Sequence, residues 1–250
     1  MATARTSITA KSVDSLSVSR FRTVADLLDH LGRVSPARVR FQPWPGTATV
    51  RDVVAIHDAE NRLFELVDGV LVEKAMGFDE SIFAVLLSGY LLEYLKTQDL
   101  GKVIGADGLM RIFPDMVRIP DVAFISWPRF PKGKRRRGEI PLVVPDLVVE
   151  VLSRENTRKE MARKLDEYLQ AGVRVVWYVD PGRGTVRVHE GRGRSVLLRE
   201  GQALDGGAVL PGFSSSICEW FAKARRGAPR HVERVVRAVI DGSAREGVIA

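Results

Sequence analysis

From Pro145 to Ser153 the chain is apolar on both parities. Leu147, Val149 and Val151 share one face of an extended segment, and Val148, Glu150 and Leu152 share the other. A strand apolar on both faces is an interior strand covered from both sides. The period then changes. Met161, Leu165, Tyr168 and Leu169 recur at helical spacing; Thr157 and Glu160 fit a capping box at the start, and Gly172 fits a C-terminal stop. Arg174 to Val179 follows as a second apolar strand, so the pattern predicts a strand–helix–strand unit.

The same reading extends along the chain. Thr23 to Leu31 has helical spacing and ends at Gly32, and a short helix is predicted from Val50 to Ala59 after turns at Pro36, Pro43 and Pro45. Leu63–Val67 and Val70–Glu73 are joined by Asp68-Gly69, a two-residue hairpin turn that requires positive φ. Ser81 to Leu95 is a helix so apolar (Ile82, Val85, Leu86, Leu92) that it is expected away from the surface. Val103-Ile104 and Leu109–Phe113 read as strands joined at Ala106-Asp107-Gly108, and Ile119–Ile125 as another. Beyond Val179 the turn from Asp180 to Gly184 leads into Thr185–His189. Shorter strands are expected at Ser195–Leu198 and Ala208–Leu210, with a last helix over Ile217–Ala224. This order predicts a mixed α/β fold, a central sheet flanked by helices. Residues 1–20, rich in Ser, Thr and Ala, read as a disordered leader, 21–59 as a helical extension, 60–222 as the compact domain and 223–250 as a basic tail.

Composition narrows the classes. The 250 residues are 45% apolar and 28% charged, ordinary for a globular chain, with no run long enough to span a membrane. Met1 to Arg20 lacks the apolar core of a secretory signal. A single cysteine, Cys218, excludes an internal disulfide and a cysteine-rich zinc site, and four scattered histidines offer no paired metal spacing. A reducing cytoplasm is the expected compartment. The net charge of +7 favours a polyanionic partner, with much of the excess in Lys132, Lys134, Arg135, Arg136 and Arg137 and in the tail. Those residues are candidates for phosphate contact, although charge runs are often only solvated loops.

Candidate chemistry centres on Glu150. Desolvation disfavours its charged form, so a lysine, an arginine or a shared metal ion must compensate it. Asp121, after Pro120 at the opening of the Val122–Ile125 strand, would face the same point if the two strands are neighbours. Two such carboxylates suit Mg²⁺, which prefers oxygen ligands and keeps several waters. Lys164 lies about 40° around its helix from Tyr168 and can lean toward Glu150. There it could orient or help deprotonate a metal-bound water, or neutralise charge on a phosphate. The plainer alternatives are a turn role for Asp121, a solvent-reaching Lys164, and a surface face of the hairpin for Glu65.

Taken in order, Phe64–Gly69, Pro120–Ala123, Pro145–Ser153, Lys164–Tyr168, Gly172–Pro181 and Leu210–Phe213 resemble the Uma-two family of restriction-endonuclease-like proteins, within the PD-(D/E)XK nuclease superfamily. The resemblance covers roughly 60 to 222. It implies a central mixed sheet with acidic residues at one end, Asp121 and Glu150 as ligands of Mg²⁺ or Mn²⁺, an assisting lysine, and hydrolysis of DNA phosphodiesters by a water. It makes Glu65 a third acidic contributor. The superfamily pattern places its lysine two residues after the acidic position, where this chain has Leu152; that departure nominates Lys164 as the catalytic lysine. Where the family tends to carry a His at the start of its first core helix, this chain has Glu80-Ser81. A catalytically inactive nuclease-fold DNA-binding protein is the alternative, and a buried Glu150–Lys164 ion pair of purely structural use a third. A two-fold homodimer would be the simplest way to cut both strands.

Overall fold

The structure, a computed structural model, describes residues 21–226 apart from 76, 135–137 and 192. The leader over 1–20 and most of the basic tail lie outside the described residues. The elements are α1 (Val24–His30), a 3-10 turn (Pro36–Arg38), β1 (Val39–Arg40), α2 (Val50–Glu60), β2 (Phe64–Val67), β3 (Val70–Glu73), α3 (Phe78–Leu95) and β4 (Gly101–Ile104). Then come β5 (Met110–Phe113), β6 (Met116–Arg118), β7 (Val122–Ser126), β8 (Leu147–Val151), α4 (Arg158–Ala171), β9 (Val175–Asp180), β10 (Thr185–Glu190), β11 (Arg194–Arg199), β12 (Ala203–Asp205), β13 (Ser214–Ser216) and α5 (Ile217–Arg225).

The expected mixed α/β architecture is present. A six-stranded sheet, in the order β11-β10-β9-β8-β7-β4, holds β8 between an antiparallel β7 and a parallel β9. The parallel pair β8–β9 needs a crossover, and α4 supplies it. Alternation along β8 sorts the layers as the sequence predicts. Leu147, Val149 and Val151 pack with Phe83, Leu87 and Leu91 of α3 and Trp220 and Phe221 of α5, while Val148 packs with Met161 and Tyr168 of α4.

A second, five-stranded sheet, β1-β3-β2-β6-β5, was not foreseen. It separates two strands expected to be joined as neighbours: β4 pairs with β7, whereas β5 pairs with β6. All four residues of β2 are buried, because α2 covers Phe64 and Leu66 on one face while Val67 and Glu65 are covered on the other. The segment 21–59 is built into this sheet. Val53 and Ile56 of α2 and Leu27 and Leu31 of α1 enter its core clusters, and β1 adds an edge strand.

The end of α1 also fixes the start of α4. Gly32 has φ +80°, and a Cβ there would meet the backbone N of Glu160 at 2.5 Å, so the close approach needs glycine. The Thr157 hydroxyl donates to the Gly32 carbonyl while accepting from the Glu160 N–H at 3.0 Å. Arg38, buried, donates to Glu160 at 3.0 Å.

Two expectations fail. The apolar helix α3 lies at the surface, with Val85 and Leu92 more than half exposed. Its buried face is formed by Phe83, Ala84, Leu87 and Leu91, with Leu86, Tyr90, Tyr94 and Leu95 partly buried against the same core. The strand expected at Ala208–Leu210 is a turn; the local ribbon is β12–β13 instead. Among the described residues no helix is long and apolar enough to cross a membrane.

Candidate active site

Asp121 sits where the chain leaves the five-stranded sheet at Arg118 and enters the six-stranded one at Val122. The β7–β8 register pairs Val122 with Val149, and one step further brings Asp121 opposite Glu150. The backbone holds it there: the Asp121 N–H donates to the Val149 carbonyl at 3.1 Å, and the Val151 N–H donates to Asp121 Oδ2 at 2.7 Å. Directly opposed residues of an antiparallel pair share a face. The two carboxylates named from the sequence therefore do meet, and both are buried.

Lys164 arrives from α4. Its Nζ lies 3.3 Å from Glu150 Oε1 and 3.1 Å from Glu65 Oε1. It is buried, so the solvent-reaching alternative does not hold. Neither does a surface role for Glu65, which is 1% exposed on a strand covered from both sides. The four residues nominated from the sequence thus converge at the junction of the two sheets and α4.

Three participants were missed. Lys74, just beyond β3, donates to Asp121 Oδ1 at 2.8 Å and to the Ile119 carbonyl at 2.5 Å. Tyr168 donates its hydroxyl to Glu150 Oε1 at 2.6 Å. Arg118 donates to Glu65 Oε2 at 2.7 Å and also pairs with Glu167. Tyr168 was visible only as a core residue, and Lys74 carries no local signal, since its partner is distant in sequence. Arg118, a charge in an otherwise apolar run beside Val117 and Ile119, was the one signal open to reading.

Electrostatics separates the two glutamates. Burial alone would raise the Glu65 carboxyl, but Lys164 and Arg118 outweigh it and hold it at about 2. Burial raises Glu150, Lys164 opposes, and the Asp121 charge pushes further up, leaving it above the usual carboxylate range. Burial would lower the Lys164 ammonium, yet Glu150 and Glu65 hold its pKa above the ordinary lysine value. The folded state therefore favours ionised Glu65, so its contribution to stability is full above its unfolded value near 4.5 and is lost as pH falls toward 2. Urea unfolding of the wild type across that range should lose on the order of 3 kcal/mol more than Glu65→Gln does. Equal acid slopes for the two proteins would show that Glu65 is not held in this way.

The basic loop is placed elsewhere. Lys132 and Lys134 are exposed in the connection that leaves β7 after Ser126, the end of the strand away from Asp121, roughly 17 Å along at the strand rise. Arg135, Arg136 and Arg137 lie outside the described residues.

A family model, "Uma2: Putative restriction endonuclease", matches residues 50–218. The chain belongs to the Uma2 family. The match includes Glu65, Asp121, Glu150 and Lys164 together with α2, so the family unit begins earlier than the resemblance read from the sequence. Among solved structures, the Uma2 chain is similar to one described as a putative nuclease belonging to DUF820 from Anabaena variabilis. The TM-score is 0.58 and the identity 20%, covering 66% of this chain and 92% of that one. At that identity the likeness shows a shared fold and no more. No curated protein matches the Uma2 chain.

Proposed function

We propose that the protein is a metal-dependent endonuclease that hydrolyses phosphodiester bonds of DNA. The observation that carries this reading is the pairing of Asp121 and Glu150 across β7 and β8, with Lys164 against Glu150, in a chain of the Uma2 family. Among the described residues no three acidic, histidine or cysteine side chains form a ready metal cluster. Two carboxylates are nevertheless enough for Mg²⁺ or Mn²⁺ ions that keep waters of their own. The donor set fits: both ligands are hard oxygens, and a bound cation would offset the burial and the Asp121 charge that together raise Glu150. Asp121 and Glu150 would hold the ion, which when bound would supply an activated water and charge stabilisation at the phosphate.

The protein's own residues do the rest. The Val151 N–H and Lys74 orient Asp121. Tyr168 and Lys164 fix the Glu150 carboxylate. Lys164 keeps its proton at neutral pH, so in this reading it acts as a fixed positive charge rather than the base that deprotonates water.

Supercoiled plasmid incubated with Mg²⁺ or Mn²⁺ should be nicked by the wild type and not in EDTA. Asp121→Asn should reduce the rate by about 10²-fold or more. Metal-independent binding with no nicking would support the inactive nuclease-fold alternative, and an Asp121→Asn protein as active as wild type would remove the site.

A further inference from the structure

A cleft of about 1280 Å³ opens beside this site. Leu152 lines it, two residues past Glu150, and the ladder still holds there, since the Leu152 N–H donates to the Val179 carbonyl at 2.8 Å. Strand alternation therefore places Leu152 on the face that carries Glu150. We infer that this cleft is the track for a single-stranded or locally unpaired stretch of nucleic acid. The inference rests on the nuclease reading for the kind of substrate, and adds its conformation and its path.

The first reason is charge. Arg154 and Arg158 at the β8–α4 turn and Arg187 on β10 line the cleft, and all three are exposed. Among the described residues none of the three makes an ion pair or side-chain hydrogen bond. Several other arginines are committed: Arg118 to Glu65 and Arg163 to Asp68 outside the cleft, and Arg225, which also lines it, to Glu200. The cleft does contain acidic groups, but Asp180 is paired with Arg183, and Asp79 and Glu80 are confined to the first turn of α3. Uncommitted guanidinium groups lining the cleft suit phosphates, which they engage through planar, paired donors.

The second reason is Phe78. It lines the same cleft at the start of α3, is 81% exposed, and packs against no other ring among the described residues. A large exposed ring lining the cleft can gain burial and stacking from a planar partner that it does not have in the free protein. A duplex shows its phosphates and hides its base faces, so it would satisfy the arginines and leave Phe78 idle. An unpaired strand offers both, phosphates to the arginines and a base face to the ring.

Fluorescence anisotropy in EDTA, with a short labelled oligothymidylate and a hairpin duplex of equal length, tests this without cleavage. The wild type should prefer the single strand. The triple variant Arg154→Ala, Arg158→Ala, Arg187→Ala should bind more weakly, with its log–log salt slope shallower by about 2, near 0.7 for each phosphate no longer neutralised. Phe78→Ala should lose roughly tenfold on the single strand with the slope unchanged. Lys132→Ala with Lys134→Ala should change little. All these side chains are exposed, and circular dichroism checks the fold. A wild-type preference for duplex, a triple variant with unchanged slope, or loss confined to the Lys132 and Lys134 variant would each overturn the proposal. A protein that binds through the cleft yet, with Mg²⁺ or Mn²⁺, cleaves neither plasmid nor the single-stranded oligonucleotide would sink the nuclease reading and leave the track standing.

Discussion

Glu150→Gln should lower metal-dependent nicking by about 10²- to 10³-fold while leaving the protein at least as stable as the wild type at pH 7. The two halves of that expectation come from one cause. Burial and the neighbouring Asp121 disfavour the Glu150 charge, so the ionised side chain costs stability in the folded state. A group whose folded pKa is raised contributes fully below its unfolded value and loses that contribution as pH rises, so the advantage of glutamine grows toward neutrality. Glutamine keeps the shape and can still accept from the Tyr168 hydroxyl. Lys164→Met should behave in the opposite way on stability. It removes the cation between Glu65 and Glu150 and should cost roughly 3–5 kcal/mol, because two buried carboxylates lose their shared partner. Urea midpoints at pH 7 for the two variants, set beside their nicking rates, decide between a working site and an ion pair of purely structural use. If Glu150→Gln is destabilised as strongly as Lys164→Met, the structural reading wins.

How much of this was legible follows from the range of each interaction along the chain. The two-sided apolar pattern of Leu147–Leu152, the Asp68-Gly69 turn and the Thr157 to Gly172 helix are local signals, and each element formed where it was read. Lys164 was pointed to by helix geometry and by the family resemblance together, and it does reach Glu150. What local pattern could not carry was the second sheet. The burial of Glu65 depends on what covers the far face of β2, and the strands after Gly101 part to different sheets although they adjoin in sequence. Lys74 escaped for the same reason, since its carboxylate lies across a sheet junction. The helix α3 misled because hydrophobicity reports a preference for burial, not the presence of a partner on every face. Phe78, Val85 and Leu92 remain in solvent.

Arg118→Met tests whether that sheet junction is what holds the site together. Arg118 is 4% exposed, and its guanidinium ties β6 to Glu65 of β2 and to Glu167 of α4. Methionine keeps much of the length and removes the charge, so the loss is electrostatic rather than a cavity. Glu167 retains Arg163 at 2.7 Å, whereas Glu65 keeps only Lys164 and Lys74 nearby, so most of the damage should fall on Glu65. The expected cost is about 3–5 kcal/mol at pH 7, read from urea unfolding. The acid-induced loss of stability should also begin at a higher pH than in wild type, because one of the three cations that outweigh burial at Glu65 has gone. Adding Glu65→Gln should recover part of the loss, so the double variant is less destabilised than the sum of the singles. Strict additivity would mean the two side chains do not act as a pair. An unchanged midpoint for Arg118→Met would mean that packing of α4 between the sheets, and not this network, positions Lys164.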